Sequence, residues 1–198
     1  MGRAERHPAG SILDAARELV LGEGVRAATV DRIVVASGAP KGSIYHRFGT
    51  LDDLLATMWL RAVRDSQDRF LAALAGDDAA TDAVAAALSL FDFAREHPDD
   101  AALLVVLRRE DVARHVRNED LRRELGAVNA PLERGVEDLA VRLHGRATRT
   151  AVEQTVLAVV DLPLGAIRRH LLARRPPPPE LRDPLARAVR AALHLPVR

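Results

Sequence analysis

The chain has 198 residues, of which 48% are hydrophobic and 29% are charged, a mixture typical of a globular protein with a buried core. The formal net charge is only +1 and cysteine is absent, which excludes disulfide bonds, cysteine nucleophiles and thiolate metal sites. The N-terminus lacks the apolar stretch of a signal peptide, and the longest apolar run, residues 101–107, is too short to span a bilayer. We therefore expect a soluble, cytoplasmic protein.

Helical periodicity begins near the N-terminus with two helices that have clear start and stop signals. Ser11 is a favourable N-cap for the first helix, which glycines at 22 and 24 should end. Thr29 can cap a second, short helix, and Gly38 should break it.

A third short helix and a fourth, much longer one are predicted next. Pro40 is preset for a first helical position and opens the third helix, in which Ile44 and Phe48 lie four residues apart and face the core. From Leu51 an apolar stripe continues until Gly76–Asp78, which predicts a long fourth helix.

The remaining sequence also reads as helix. The same spacing predicts five more helices, over about residues 84–97, 98–109, 121–143, 152–167 and 181–192. Pro131 should bend or restart the third of these, and Pro176–Pro179 form a stiff connector before the last. We expect an all-α fold of about nine helices.

Residues 29–48 combine the shape and the charge of a DNA-binding element. Two short helices joined at Gly38 form the compact angle of a helix-turn-helix. Small residues at the start of the second helix would let it approach a groove closely. Between Val25 and Thr50 the balance is +3, whereas the chain from Leu51 onward has 22 arginines against 23 acidic residues. A local basic surplus of this kind attracts phosphates.

The segment TVDRIVVASGAPKGSIYHRFGTLDDLL resembles the DNA-binding region of the TetR family of transcription regulators. The shared features are a helix that begins at threonine, a turn of a small residue and glycine, and a recognition helix with Tyr-His followed by Phe. In this chain they are carried by Thr29, Ile33, Gly38, Gly42, Ile44, Tyr45, His46, Phe48 and Leu54. The resemblance covers about residues 11–60 and extends to the remainder only in helix number and length.

The resemblance implies a role for each position that matches the motif. The implied contacts are Thr29, Tyr45, Lys41 and His46 for phosphates, Ser43 and Arg47 for base edges, Arg32 for the backbone or a base, and Thr50 as the cap of the fourth helix. One position departs from the family, because Leu51 stands where a phosphate-binding lysine is usual. This departure should lower DNA affinity and its salt dependence by about one phosphate contact.

Three of these residues have alternative roles. Tyr45 is also compatible with a half-buried core aromatic, and Arg47 with an ion pair to Asp52 or Asp53. Thr29 is a suitable N-cap whether or not DNA is bound.

For the rest of the chain the resemblance implies the domain organisation. It predicts a helix-turn-helix domain over residues 1–50 and a helical effector-binding and dimerisation domain over residues 51–198, with the last two helices of two subunits forming the dimer. An effector pocket is expected among the predicted helices four to eight. Its candidate residues are Trp59, Phe91, Leu104, Leu107 and Asp161. Asp161 interrupts an apolar helix, so it is either a polar anchor in that pocket or a position that faces solvent or an interface.

The other motifs in the sequence do not indicate a nucleotide, metal or catalytic site. The segment Gly22–Ala27 has the spacing of a dinucleotide fingerprint but follows a helix rather than a strand, and we reject it. Asp111, His115 and Glu119 would share one helix face, yet the arginines at 114 and 117 favour charge pairing over a metal. We find no assembled catalytic site and expect no cofactor.

Two function classes fit best. The first is a dimeric repressor that binds a palindromic operator and is released by a small, largely apolar effector, with the two recognition helices about 34–36 Å apart. The second is a DNA-binding dimer without an effector that is regulated by protein partners. An all-α enzyme or ligand carrier fits the basic helix less well.

Overall fold

The computed structural model describes residues 9–195, and within this range it contains helices and no β-strand, which confirms the all-α prediction. Residues 1–8, most of the segment considered for a signal peptide, lie outside the described residues. The chain forms two compact units, one made of the residues up to Ala62 with Leu103–Ala127 and the other of Val63–Ala102 with the residues from Val128.

The N-terminal unit is built from short helices and the first half of a long one. Its helices are α1 (Ala9–Glu23), α2 (Val30–Ser37), α3 (Lys41–Phe48), the first half of α4 (Leu51–Ala73), the end of α6 (Pro98–Val106), α7 (Arg109–Ala113) and α8 (Glu119–Ala127). Its core is formed by side chains that are at most 1% exposed, namely Ile12, Ile33, Ile44, Leu54 and Met58. The inner side predicted for α3 is therefore confirmed at Ile44, while Phe48 is only half-buried.

The second unit is organised around α5 (Ala79–Glu96), which packs against three other helices of the unit. Its further helices are α9 (Ala130–His144), α10 (Arg149–Val156), α11 (Leu162–Leu172) and α12 (Arg182–Ala192). Phe91 on α5 is fully buried. Arg142 on α9 stabilises the segment before α5. It donates hydrogen bonds to the carbonyls of Leu74 and Gly76 and to the carboxylate of Asp82.

Several local predictions are wrong in instructive ways. Ser11 lies inside α1 rather than at its N-cap, because Ala9 and Gly10 are already helical. Asp111 and Glu119 do not share a helix face, since α7 ends at Ala113 and α8 begins at Glu119. Arg114 instead lies 3.7 Å from the carboxylate of Asp111, an ordinary helix charge pair.

The two long helices predicted in the C-terminal half are each divided. The helix expected over 121–143 restarts at Ala130, with Pro131 in its first turn. Proline is tolerated there because backbone N–H groups in the first turn make no hydrogen bond within the helix. The helix expected over 152–167 contains a π-helical turn, Leu157–Asp161, that ends just before Pro163. The wider turn relieves the clash between the proline ring and the carbonyl four residues earlier.

Candidate nucleic-acid interface

The helix-turn-helix predicted from residues 29–48 is present, and its boundaries follow from local chemistry. The Thr29 hydroxyl accepts the N–H of Arg32 at 3.4 Å and so caps α2. Gly38 ends α2 with φ of +68°, a left-handed conformation that glycine adopts without a steric penalty. Ala39 is fully buried in the turn, and Pro40, with φ of −59°, is the N-cap of α3 rather than its first residue.

The outer face of α3 carries polar and basic side chains into solvent. Lys41 and His46 are exposed, and Tyr45 is 47% exposed, so about half of its surface is accessible to solvent. Ser43 and Arg47, the two predicted base-reading residues, are adjacent, with Arg47 Nε 3.4 Å from Ser43 Oγ. The phosphate-contacting and base-reading candidates on this helix therefore lie on an accessible surface.

Gly42 on α3 has no packing reason to be glycine. A Cβ built at this position meets no atom within 4 Å. Glycine in a helix costs up to about 1 kcal/mol relative to alanine. Because the face beside it also bears Tyr45 and His46, three and four residues further on, the small residue suits close approach by another molecule.

Two of the predicted DNA contacts form ion pairs with acidic residues near α3. Lys41 Nζ lies 2.7 Å from Asp31 Oδ1, and Arg32 forms a two-pronged pair with Glu23, in which Nη1 lies 2.8 Å from Oε2. Hydrogen bonding to Asp31 raises the pKa of Lys41, and hydrogen bonding to Arg32 lowers the pKa of Glu23. No sequence signal predicted these pairs, whose members are nine and ten residues apart.

The start of α4 is held by a network centred on Asp53. Thr50 caps α4 as predicted, accepting the N–H of Asp53 at 3.1 Å and donating its hydroxyl to Asp53 Oδ2 at 2.7 Å. The other carboxylate oxygen accepts the backbone N–H groups of Arg117 and Asn118 at 3.0 and 3.2 Å. Asp53 is only 5% exposed, and its hydrogen bonds hold the segment before α8 against the start of α4. No sequence signal connects residues 64 positions apart, and this role was missed.

The candidate effector residues are distributed over both units. Trp59 is 7% exposed and donates its indole N–H to the carbonyl of Leu107 at 3.1 Å, while Leu104 nearby in sequence is half-buried. Phe91 is fully buried in the second unit. Asp161 is exposed, and it lines an apolar cleft of about 390 Å³ between α11 and α12.

Comparison with known proteins agrees with this arrangement. Residues 12–58 match the family model of bacterial regulatory proteins of the tetR family. No relative was found among curated protein sequences.

Similar solved structures cover nearly the whole chain. One is the TetR-family transcriptional regulator PfmR from Thermus thermophilus, with 17% identity over 94% of this chain and 99% of that one and a TM-score of 0.70. Another is a TetR-family transcriptional regulator from Streptomyces coelicolor, with 22% identity over 93% and 87% of the two chains and a TM-score of 0.68. A third is the multidrug binding protein EbrR complexed with imidazole, with 21% identity over 99% and 98% and a TM-score of 0.52. These structures share the fold.

Proposed function

Because residues 12–58 are a TetR-family segment and the chain has the fold of TetR regulators, we propose that this protein is a cytoplasmic, ligand-responsive repressor that binds a palindromic operator as a dimer. The observation that carries the proposal is the exposed basic face of α3, on which Lys41, Tyr45 and His46 point away from the core.

The contacts divide into those that provide affinity and those that provide specificity. Thr29, Lys41, Tyr45 and His46 contact phosphates, which draw the protein to any duplex. Ser43 and Arg47 reach base edges in the major groove and select the sequence, and Arg32 adds a contact from α2. Thr50 contributes indirectly by fixing the start of α4, whose N-terminal N–H groups favour a nearby phosphate.

Dimerisation through α11 and α12 fits the surface of the second unit. Leu157, Leu164 and Leu172 lie in or just before α11 and are 48%, 43% and 53% exposed. By length and composition alone, residues 149–172 could cross a membrane, and only a third of their apolar window is buried. Much of this apolar surface is therefore exposed, and Asp161 lies within it. A second copy of the chain would cover this surface, and a dimer would carry the two recognition helices that a palindromic site requires.

The effector proposed for this protein is a small, largely apolar molecule. EbrR, a structure with the same fold, is described as a multidrug binding protein, which favours a small-molecule site in the helical region. An apolar compound suits the leucine-, valine- and alanine-rich composition of this region. A DNA-binding dimer regulated by protein partners instead of a small molecule is the second candidate.

Selection of bound duplexes from a random DNA pool tests the DNA-binding proposal. We expect a palindrome with half-sites about one helical turn apart. Lys41→Ala with Tyr45→Phe should weaken binding to all sequences, whereas Ser43→Ala should change the selected sequence. A chain that enriches no sequence and binds no duplex even at low salt would contradict the proposal.

Two measurements test the dimer and the effector. Replacing Leu164 and Leu172 with Asp should convert the protein to a monomer in analytical ultracentrifugation while its helical circular dichroism is retained.

A thermal-shift screen should identify compounds that raise the melting temperature and weaken operator binding, with a change in Trp59 fluorescence. If every stabilising compound leaves operator affinity unchanged, the regulator without an effector is the better description.

A further inference from the structure

Two acidic residues beside the recognition helix are paired with basic residues that the proposed function assigns to DNA. Asp31, in the first turn of α2, lies 2.7 Å from the ammonium group of Lys41 at the start of α3. Glu23, the last residue of α1, accepts hydrogen bonds from both terminal nitrogens of Arg32. The DNA-free protein thus pairs two of the cations between Val25 and Thr50 with its own carboxylates.

These pairs are weak enough to open. The side chains of Arg32 and Glu23 are 44% and 54% exposed, and those of Lys41 and Asp31 are 53% and 80% exposed. Ion pairs at this exposure contribute little to folding because water and salt screen them. A DNA phosphate that approaches either cation therefore competes with a carboxylate that is easily displaced.

We propose that Glu23 and Asp31 are residues of the DNA interface that act as internal competitors of phosphate, and that they set the affinity and the salt dependence of DNA binding. This inference rests on the proposed function. When Lys41 moves to a phosphate, Asp31 loses its partner. The carboxylate then takes up a cation from solution, which offsets part of the counterion release that favours DNA binding.

The test compares Asp31→Asn and Glu23→Gln with the wild-type protein. Fluorescence anisotropy with a labelled random-sequence duplex of about 30 base pairs is measured between about 50 and 200 mM salt. Each variant should bind up to about fivefold more tightly at low salt, the equivalent of one exposed ion pair. The slope of log K against log salt should steepen by up to about 0.9 for each variant, as for one additional phosphate contact.

A double-mutant cycle separates competition from a general change in charge. In a Lys41→Met background, Asp31→Asn should change affinity by less than about twofold, because the cation for which Asp31 competes is gone. Asp77→Asn, which removes one carboxylate from an exposed loop of the other unit, is the matched control and should leave affinity and slope unchanged.

Each remaining outcome is decisive. If Asp31→Asn gains the same affinity with and without Lys41, its effect is general electrostatics and the inference is wrong. If the variants bind more weakly, the carboxylates position the cations for DNA rather than compete with it. If the wild-type protein binds and no variant differs from it, only this inference fails, whereas absence of wild-type binding at low salt also removes the proposed function.

In the free protein, an NMR titration should find the Glu23 pKa below its ordinary range and restored by Arg32→Gln. An ordinary wild-type pKa would exclude the pair.

Discussion

Gly42 on α3 allows a substitution that should improve folding and impair DNA binding. A Cβ at this position meets no atom within 4 Å, so alanine introduces no clash in the free protein. Alanine should stabilise the fold by up to about 1 kcal/mol, because it favours the helix and restricts the unfolded chain. In the proposed complex the new methyl group lies beside Tyr45 and His46, against the DNA. Loss of one close contact should weaken binding about tenfold, or ~1.4 kcal/mol.

The assay pairs urea unfolding with DNA binding. Trp59 is the sole tryptophan and lies buried in the same unit, so its fluorescence reports unfolding of the DNA-binding region. Gly126→Ala is a matched control, since Gly126 is also helical, exposed, in the same unit and free of atoms within 4 Å of its Cβ position. It should raise the urea midpoint without changing affinity for the selected duplex.

Two separate results would contradict this prediction. If Gly42→Ala binds the duplex as tightly as the wild-type protein, this face of α3 does not approach DNA closely. If Gly42→Ala lowers the urea midpoint, the absence of an internal packing role for Gly42 is wrong.

Three other substitutions, one of them with a control variant, test the network around α4, the missing phosphate contact and the second unit. Asp53→Ala should cost about 3 kcal/mol, because two backbone N–H groups and a hydroxyl lose their shared acceptor. Asp52→Ala, in the same helical turn, should cost below about 1 kcal/mol, and equal losses in urea unfolding would contradict the assignment. Leu51→Lys should steepen the salt dependence of DNA binding by about 0.9 in log–log slope, and an unchanged slope in anisotropy titrations would mean that this position does not reach a phosphate. Arg142→Ala should lower stability by about 3 kcal/mol, because the side chain of Asp82 is only 8% exposed and its carboxylate would stay buried without its cation. A melting temperature within a degree or two of wild type by circular dichroism would refute that last expectation.

The parts of the fold that the sequence predicted are those governed by neighbouring residues. The N-cap at Thr29, the left-handed glycine at 38 and the cap at Thr50 each depend on groups within four positions along the chain. The inner position of Ile44 follows from helical spacing in the same way. The divided helices near Pro131 and Pro163 were foreseen only in part, since proline disfavours a regular helix but does not fix how the backbone compensates.

The sequence alone determined an all-α chain with a basic helix-turn-helix near its N-terminus, because capping, periodicity and local charge are short-range properties. Only the tertiary structure decided that Asp31 and Glu23 reach the cations of that motif, and that Asp53 holds a segment 64 residues away. Such contacts depend on which helices pack together and at what angle. Many side chains contribute jointly to that packing, and no spacing along the chain records it.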